Sequence, residues 1–359
     1  MSDWSKVPKE FYTNLGKSGL KISRLVAGCM SFGSKKSWGD WIIEDKKEVF
    51  AILKKAYDEG IRTFDTADIY CNGQSEVLLG EFLEEYKIKR DKVVILTKCF
   101  FISDPDNPEL SVYTSSQYPA HDYINSQGLS KKHIFDAVRA SVERLGTYID
   151  VLQIHRFDHE TPMEETMEAL HDVVKEGLTR YIGASSMKAY EFVQLQSVAE
   201  KHGWTKFISM QNYFNLLYRE EDREMNEYCK KTGVGIIPWS PNAAGALSRP
   251  LEHLHDSTRA QWGGLTMLGL DKPSDNDKEI IKRVGELAEK HKVSMTSVSI
   301  SYVLWKGYNP IVGFNKPSRV DDAIDGFKLK LTDEEAKYLE EPYKPKPSQF
   351  VYKVNDDSI

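Results

Sequence analysis

At 359 residues, with 40% hydrophobic, 11% aromatic and 28% charged side chains, the chain has the make-up of a soluble protein with a large core, not of a disordered or fibrous one. A formal charge of −6 with a pI near 5.9, and basic residues that alternate with acids, give no electrostatic reason to expect a nucleic-acid partner. No apolar run is long enough to span a bilayer, the start MSDWSKVPKEF lacks a signal-peptide pattern, and Cys29, Cys71, Cys99 and Cys229 form no CxxC pair, which together predict a cytoplasmic protein with free thiols and no membrane partner.

The first predicted elements are a hairpin over about 12–23, turning at Gly16-Lys17-Ser18-Gly19, and an apolar strand at Leu25–Gly28. Val49, Ile52, Leu53, Ala56 and Tyr57 then form a stripe at helical spacing that stops at Gly60. The same unit recurs. Strand Arg62–Asp65 precedes helix Glu76–Tyr86, Val93–Thr97 precedes Lys131–Leu145, and Val151–His155 precedes Met163–Glu176. Tyr181–Ala184 leads to Tyr190–His202, Phe207–Gln211 to Asp222–Lys231, Gly235–Trp239 to Asp277–His291, and Pro310–Gly313 to Val320–Phe327. An additional apolar helix, Met295–Leu304, falls outside the count.

Near-continuous apolar strands alternating with amphipathic helices predict a parallel sheet covered on both faces. Eight units in succession favour an α/β fold closed into a single (β/α)8 barrel over residues 1–359, with the hairpin plugging one end and a C-terminal tail over about 342–359. The Lys344–Pro347 run and the last residues, Asp356 to Ile359, have no assigned role and read as solvated. Two connections are long. Residues 100–128 carry Phe100, Phe101, Tyr113, Tyr118 and Tyr123, and residues 241–273 carry Trp262 and several glycines. Both follow strands, so they rise from the C-terminal face, where barrel active sites lie.

Polar residues end several strands: Asp65, Lys98, His155, Ser185, Gln211 with Asn212, and Trp239 with Ser240. One such residue has a plain structural explanation, since strands must end in something polar. Three successive strands ending in Asp65, Lys98 and His155, with Tyr70 five residues past Asp65, converge on one pocket. A lysine ammonium favours the phenolate of a neighbouring tyrosine, so Lys98 is expected to draw the Tyr70 pKa down from its usual value near 10. Asp65 would neutralise Lys98, and His155 would orient a substrate oxygen. Trp38 and Trp41 either wall a substrate pocket or pack as a surface pair, and Phe100 and Phe101 belong to the aromatic loop beside it.

In chain order the sequence carries LVAGCMSFG (25–33), GIRTFDTADIYCNGQSE (60–76), ILTK (95–98), YIDVLQIHRFD (148–158), YIGASSM (181–187), MQNYFNLLYR (210–219), IIPWSP (236–241) and PIVGFNKPSRVDDAI (310–324). In this order the motifs resemble the aldo-keto reductase superfamily, and its fungal aryl-alcohol dehydrogenase-type branch in particular. The resemblance implies a catalytic tetrad of Asp65, Tyr70, Lys98 and His155. It also implies hydride transfer from a nicotinamide to a small-molecule aldehyde or ketone, with Tyr70 giving the proton. Ser185, Ser186 and Gln211 would hold the carboxamide, Trp239 would stack on the ring, and Ser240 and Gly245 would lie along the cofactor. Lys316 and Arg319 fall where the adenine end would bind, and a guanidinium suits a 2′-phosphate, which favours NADP(H). Three positions depart from the family pattern. Ser186 replaces a common asparagine, Pro241-Asn242-Ala243-Ala244-Gly245 replaces a leucine followed by an arginine before the glycine, and Arg319 stands where glutamine is frequent.

Other chemistries have thinner support. No GxGxxG follows a strand, GASSM lacks the second glycine of a nucleophile elbow, and His253 with His255 lacks a third ligand, so no metal is expected. A rival function is a nucleotide-sensing regulatory subunit resembling potassium-channel β subunits. A second is an aldolase using Lys98 as a Schiff-base nucleophile. The oligomeric state and the physiological substrate are not legible.

Overall fold

The computed structural model describes residues 7–111, 114 and 117–350. Tyr113 and the final residues Asp356 to Ile359 therefore lie outside the described residues. Two antiparallel strands, β1 (Tyr12–Asn14) and β2 (Lys21–Ser23), form the N-terminal hairpin. Eight parallel strands follow: β3 (Val26–Gly28), β4 (Thr63–Asp65), β5 (Val94–Cys99), β6 (Ile149–Ile154), β7 (Thr179–Ser185), β8 (Phe207–Gln211), β9 (Gly235–Ile236) and β10 (Ile311–Gly313).

The strands neighbour one another in chain order from β3 to β9, and β10 returns to pair with β3, Ile311 opposite Val26. The ring closes through Trp239, which bridges Ile311, and through the Ile311 N–H, which donates to the Pro238 carbonyl at 2.9 Å. The fold is the expected α/β barrel. β9 is three residues shorter than the apolar run Gly235–Trp239 suggests. Pro238 has no N–H for the ladder, so the strand breaks there and rejoins only at the isolated Trp239 bridges.

Helices pack around the ring because each buries one stripe. In Lys46–Asp58 the buried side chains are Val49, Phe50, Ile52, Leu53 and Ala56, and the Asp45 carboxylate caps the first turn by accepting from the Lys47 N–H at 2.7 Å. Helix Met295–Trp305 buries Thr296 through Val303 without interruption, as its uniformly apolar and small sequence requires. The hairpin contributes Leu15 and Ile22 to a cluster with Val26, Leu96, Val151, Ile237 and Ile311, filling the barrel below the site. Gly16 permits the contact: it has φ +59°, and a Cβ there would stand 2.2 Å from the Gly233 carbonyl oxygen.

Some elements depart from expectation. Helix Asp333–Glu340 has no counterpart among the predicted elements, although Thr332 and Glu335 form a reciprocal capping box visible in the sequence as T-x-x-E. The long connection 241–273 is broken into short helical turns at Ala243–Ser248, Leu251–His253, Thr258–Gln261 and Gly264–Met267. The Lys/Pro tail is docked and not simply solvated: Lys346 Nζ donates to Asp277 Oδ1 at 2.6 Å, the Lys346 N–H to Glu220 at 2.8 Å and the Gln349 N–H to Tyr218 Oη at 2.9 Å. Among the described residues no helix is long and apolar enough to cross a membrane.

Candidate active site

β4, β5 and β6 bring Asp65, Lys98 and His155 to the C-terminal mouth of the barrel, and the turn after β4 adds Tyr70. Lys98 has no solvent exposure. Its ammonium donates to Asp65 Oδ1 at 2.6 Å, to the Thr66 carbonyl at 2.8 Å and to Tyr70 Oη at 3.1 Å. Three acceptors satisfy three N–H bonds, which is what a buried ammonium requires. Burial works against its charge, but attraction to Asp65 and then Tyr70 outweighs it and holds the lysine above its ordinary pKa. That rules against a Schiff-base role, which needs a neutral amine.

Asp65 is fixed from the other side as well. Its Oδ2 accepts from Gln153 Nε2 at 3.0 Å and from Gln211 Nε2 at 2.8 Å, and Gln211 also donates to Gln153 Oε1 at 2.8 Å. Gln153 stands opposite Lys98 in the β5–β6 ladder. The sequence reading passed over it, though a glutamine inside the apolar run VLQI was a visible signal.

The expected lowering of the Tyr70 pKa is not what the site produces. Burial is the larger influence and pushes the phenol above its usual value, with Lys98 pulling only partly back. Tyr70 is therefore a neutral O–H donor with a cation waiting beside it. His155 is shifted well below the usual imidazole range by burial, then by the Arg156 and Lys98 charges, and its buried Nδ1 has no partner. Its ring meets Tyr70 edge-on at 6.1 Å and Phe101 at 5.1 Å.

A cleft of about 320 Å³ opens above these groups, within the range of small-molecule sites. Trp38, Trp41 and Phe101 line it together with Asp65, Tyr70, His155, Ser185, Gln211, Trp239, Ser240, Gly245 and Arg319. The two tryptophans are buried and stacked at 6.1 Å, and Trp38 meets Tyr70 edge-on at 5.7 Å, so they are not a surface pair.

Three expected site residues stand elsewhere. Phe100, just beyond the end of β5, packs against the main hydrophobic core. Ser186 is off the wall, and its Oγ accepts from Trp239 Nε1 at 3.3 Å. Lys316 is exposed and also off the wall, where Asn315 lies instead.

Several residues on the wall were missed, Arg156, Arg249, Arg259 and Phe350 among them. Phe350 packs edge-on against Trp239 at 4.8 Å, held there by the docked tail. Arg249 reaches the Gly245 loop, where a Cβ on Gly245 would lie 3.3 Å from its Nη2, and so returns a guanidinium to a loop that lacks the family's arginine. Burial and then the Arg319 charge lower its pKa, as two neighbouring cations require. Cys71 and Asn72 after Tyr70, and Ser186, Ser240, Ala243 and Ala244 around Trp239, all hold positive φ, a concentration of strained backbone at the cleft. Among the described residues no group of His, Cys, Asp or Glu is placed to hold a metal, and His253 and His255 face separate aspartates, Asp256 and Asp271.

The parallel barrel thus gathers a buried lysine, a tyrosine and a histidine at the foot of a cleft walled largely by aromatic side chains. The aldo/keto reductase family model matches residues 24–344, and the chain belongs to that family. It is 55% identical over 331 residues, covering 92% of this chain and 96% of the relative, to a Saccharomyces cerevisiae protein named "Putative aryl-alcohol dehydrogenase AAD16". It is 51% identical over 336 residues, 93% of this chain and 97% of the relative, to the versiconal hemiacetal acetate reductase of Aspergillus parasiticus. An aldo-keto reductase of Alternaria alternata, AMT2, is 46% identical over 351 residues, 96% and 94% of the two chains. The protein is an oxidoreductase of this family.

Proposed function

We propose that this protein reduces aromatic or apolar aldehydes to alcohols, reversibly, with NADPH as the hydride source and Tyr70 as the proton donor. The observation that carries the reading is the Lys98 ammonium held between Asp65 and Tyr70 at the foot of an apolar cleft. The names of the relatives, which refer to aryl alcohols and to a hemiacetal ester, point to the same substrate class.

The residues fit a nicotinamide dinucleotide. Arg249 and Arg319 both line the cleft, Arg319 paired with Asp322 at 2.9 Å and close enough to lower the Arg249 pKa, and the guanidinium fork of either suits a 2′-phosphate. Trp239 offers an indole, oriented by Ser186, for the nicotinamide ring. Ser185 donates its hydroxyl to the Gln211 carbonyl at 2.8 Å, so its oxygen can accept from the carboxamide, as can Gln211 Oε1. When bound, the reduced nicotinamide supplies the hydride.

The carbonyl oxygen would sit between Tyr70 and His155. Neutral His155 donates a ring N–H to it and aligns it. As the carbonyl carbon gains the hydride, the O–H bond of Tyr70 breaks and its proton goes to the oxygen, giving the alcohol. The phenolate left behind faces the Lys98 ammonium, which stabilises it until water returns the proton. Asp65 keeps that ammonium charged and in place. The whole chain is taken as one barrel domain working in the cytoplasm, in keeping with four buried, unpaired cysteines.

The test is the initial rate of NADPH oxidation, and separately of NADH oxidation, with a panel of aryl and aliphatic aldehydes, for wild type and Tyr70→Phe. Many turnovers with NADPH, and their loss in the variant with cofactor binding intact, support the reading. At most one turnover per enzyme would favour the nucleotide-sensing alternative, and a preference for polar sugars would remove the substrate class.

A further inference from the structure

The layer of side chains beneath the site holds one amide that proton transfer alone does not call for. Gln153 has no solvent exposure and stands in β6, a strand buried along its whole length. In the ladders it lies opposite Lys98 on one side and Gly183 on the other. Gly183 makes room for it, since a Cβ there would stand 3.1 Å from Gln153 Cγ. An apolar side chain would fill such a position at no polar cost, whereas a buried amide is costly unless it is hydrogen-bonded.

The partners of Gln153 show what the amide does. Asp65 is ion-paired with Lys98, and a carboxylate only accepts hydrogen bonds. The two amide atoms that meet Asp65 Oδ2, from Gln153 at 3.0 Å and from Gln211 at 2.8 Å, are therefore both Nε2. That choice turns Gln153 Oε1 toward Gln211, whose Nε2 donates to it at 2.8 Å. Both protons of the Gln211 amide are then engaged, one by Asp65 and one by Gln153. Its Oε1 is left as the end of the amide able to meet a ligand in the cleft, which Gln211 lines. Without Gln153 one of those protons would be buried with no acceptor, and the amide would gain by rotating.

We propose that Gln153 is a positioning residue for the cofactor: by holding Gln211 with its carbonyl oxygen toward the cleft, it sets that oxygen to accept from the carboxamide N–H of a bound nicotinamide. The proposal rests on the reductase reading above and adds a residue that is itself off the cleft wall. It also ties the two halves of the reaction together, because the carboxylate that orients both amides is the one that pairs with Lys98.

The experiment measures equilibrium binding of NADP+ and of its 3-acetylpyridine analogue, which has a methyl group where the carboxamide has its NH2. Quenching of tryptophan fluorescence reports binding to wild type, Gln153→Met and Gln153→Glu. Wild type is expected to favour NADP+ by about tenfold, the scale of one hydrogen bond whose buried acceptor is otherwise unpaired. Gln153→Met, similar in length and lacking the amide, should cut that ratio several-fold by weakening NADP+, with the analogue within about twofold of wild type. Gln153→Glu keeps an oxygen facing Gln211 Nε2 and should hold the ratio within about twofold. A purely structural role would weaken both dinucleotides alike, and an unchanged ratio in Gln153→Met overturns the proposal. If Gln153→Met does not fold, the other two proteins still decide: a wild-type ratio near one, or a ratio lost in Gln153→Glu, overturns it. NADPH turnover with the aldehyde panel, run alongside, separates the two levels of the argument. Turnover with a wild-type ratio near one strikes this proposal and leaves the reductase standing, whereas neither binding nor turnover removes the reductase reading and this proposal with it.

Discussion

Lys98 donates to Tyr70 across 3.1 Å, yet the tyrosine stays above its ordinary pKa because burial outweighs the lysine's charge. On the proposed mechanism the resting pair is protonated for reduction, in which the phenol gives up a proton, while the reverse oxidation needs Tyr70 deprotonated and so gains from higher pH. Tyr70→Phe removes the donor and should lower kcat about a hundred- to ten-thousand-fold, the usual contribution of a positioned acid. Lys98→Met should do comparable harm by leaving both Asp65 and the nascent phenolate without a cation. Stopped-flow single turnovers on both variants, with NADPH binding followed by fluorescence, separate lost chemistry from lost cofactor.

The same shift fixes the sign of the pH dependence. Aldehyde reduction uses the protonated phenol, so its kcat should hold level across neutral pH and fall only at high pH as Tyr70 ionises. Alcohol oxidation uses the phenolate and should climb steadily with pH. Parallel pH profiles of the two directions on one enzyme check this. Equal dependence in both would remove Tyr70 as the transferred group.

His155 should be silent in those profiles. Burial and two neighbouring cations hold its imidazole well below the usual range, so it remains neutral from mildly acidic to alkaline pH. No acid limb centred near 6.5, the unperturbed value, is expected in kcat/KM. A step there that disappears in His155→Gln would show an imidazolium in the working enzyme.

Arg319 donates to Asp322 at 2.9 Å and stands near enough to Arg249 to depress that residue's pKa. If the pair holds the 2′-phosphate, Arg319→Leu should raise the KM for NADPH about tenfold or more and leave that for NADH within about twofold, since NADH lacks the phosphate. Asp322→Asn, which frees Arg319, should change NADPH binding far less. Kinetics with both cofactors decide it.

The barrel was legible because its strands are buried on both sides and its helices carry one apolar stripe between glycine or polar stops, so the period changes with each element. Asp65, Lys98 and His155 were legible because adjacent strands must bring their ends together. What escaped notice depends on contacts remote in sequence. Phe350 reaches Trp239 only because Lys346 pairs with Asp277, and Arg249 reaches Gly245 only through a kinked turn with non-helical Ala244 and Gly245. The Tyr70 pKa was misjudged for a related reason: the charge of Lys98 is readable from spacing, but the depth of burial opposing it is not.

Asp68 lies in the turn between Asp65 and Tyr70, its N–H donating to the Lys98 carbonyl at 3.2 Å, and tests how that burial is tolerated. It is 1% exposed, its Oδ1 accepts from the Ile69 N–H at 2.6 Å, and its Oδ2 has no partner. Burial, and then the nearby Glu76, push its carboxyl well above the usual range, so the folded protein keeps the proton. The unfolded chain releases it near pH 4. Stability is therefore lost as pH rises above that value, because the unfolded state gains an ionisation that the folded state resists. Asp68→Asn cannot ionise in either state and keeps the Ile69 hydrogen bond. Its melting temperature should match wild type near pH 4 and exceed it increasingly toward pH 8, by the equivalent of about 1–3 kcal/mol, the scale of one buried unsatisfied polar group. Thermal melts at both pH values check this, and a variant less stable than wild type by the same margin at each would mean that Asp68 is ionised in the fold.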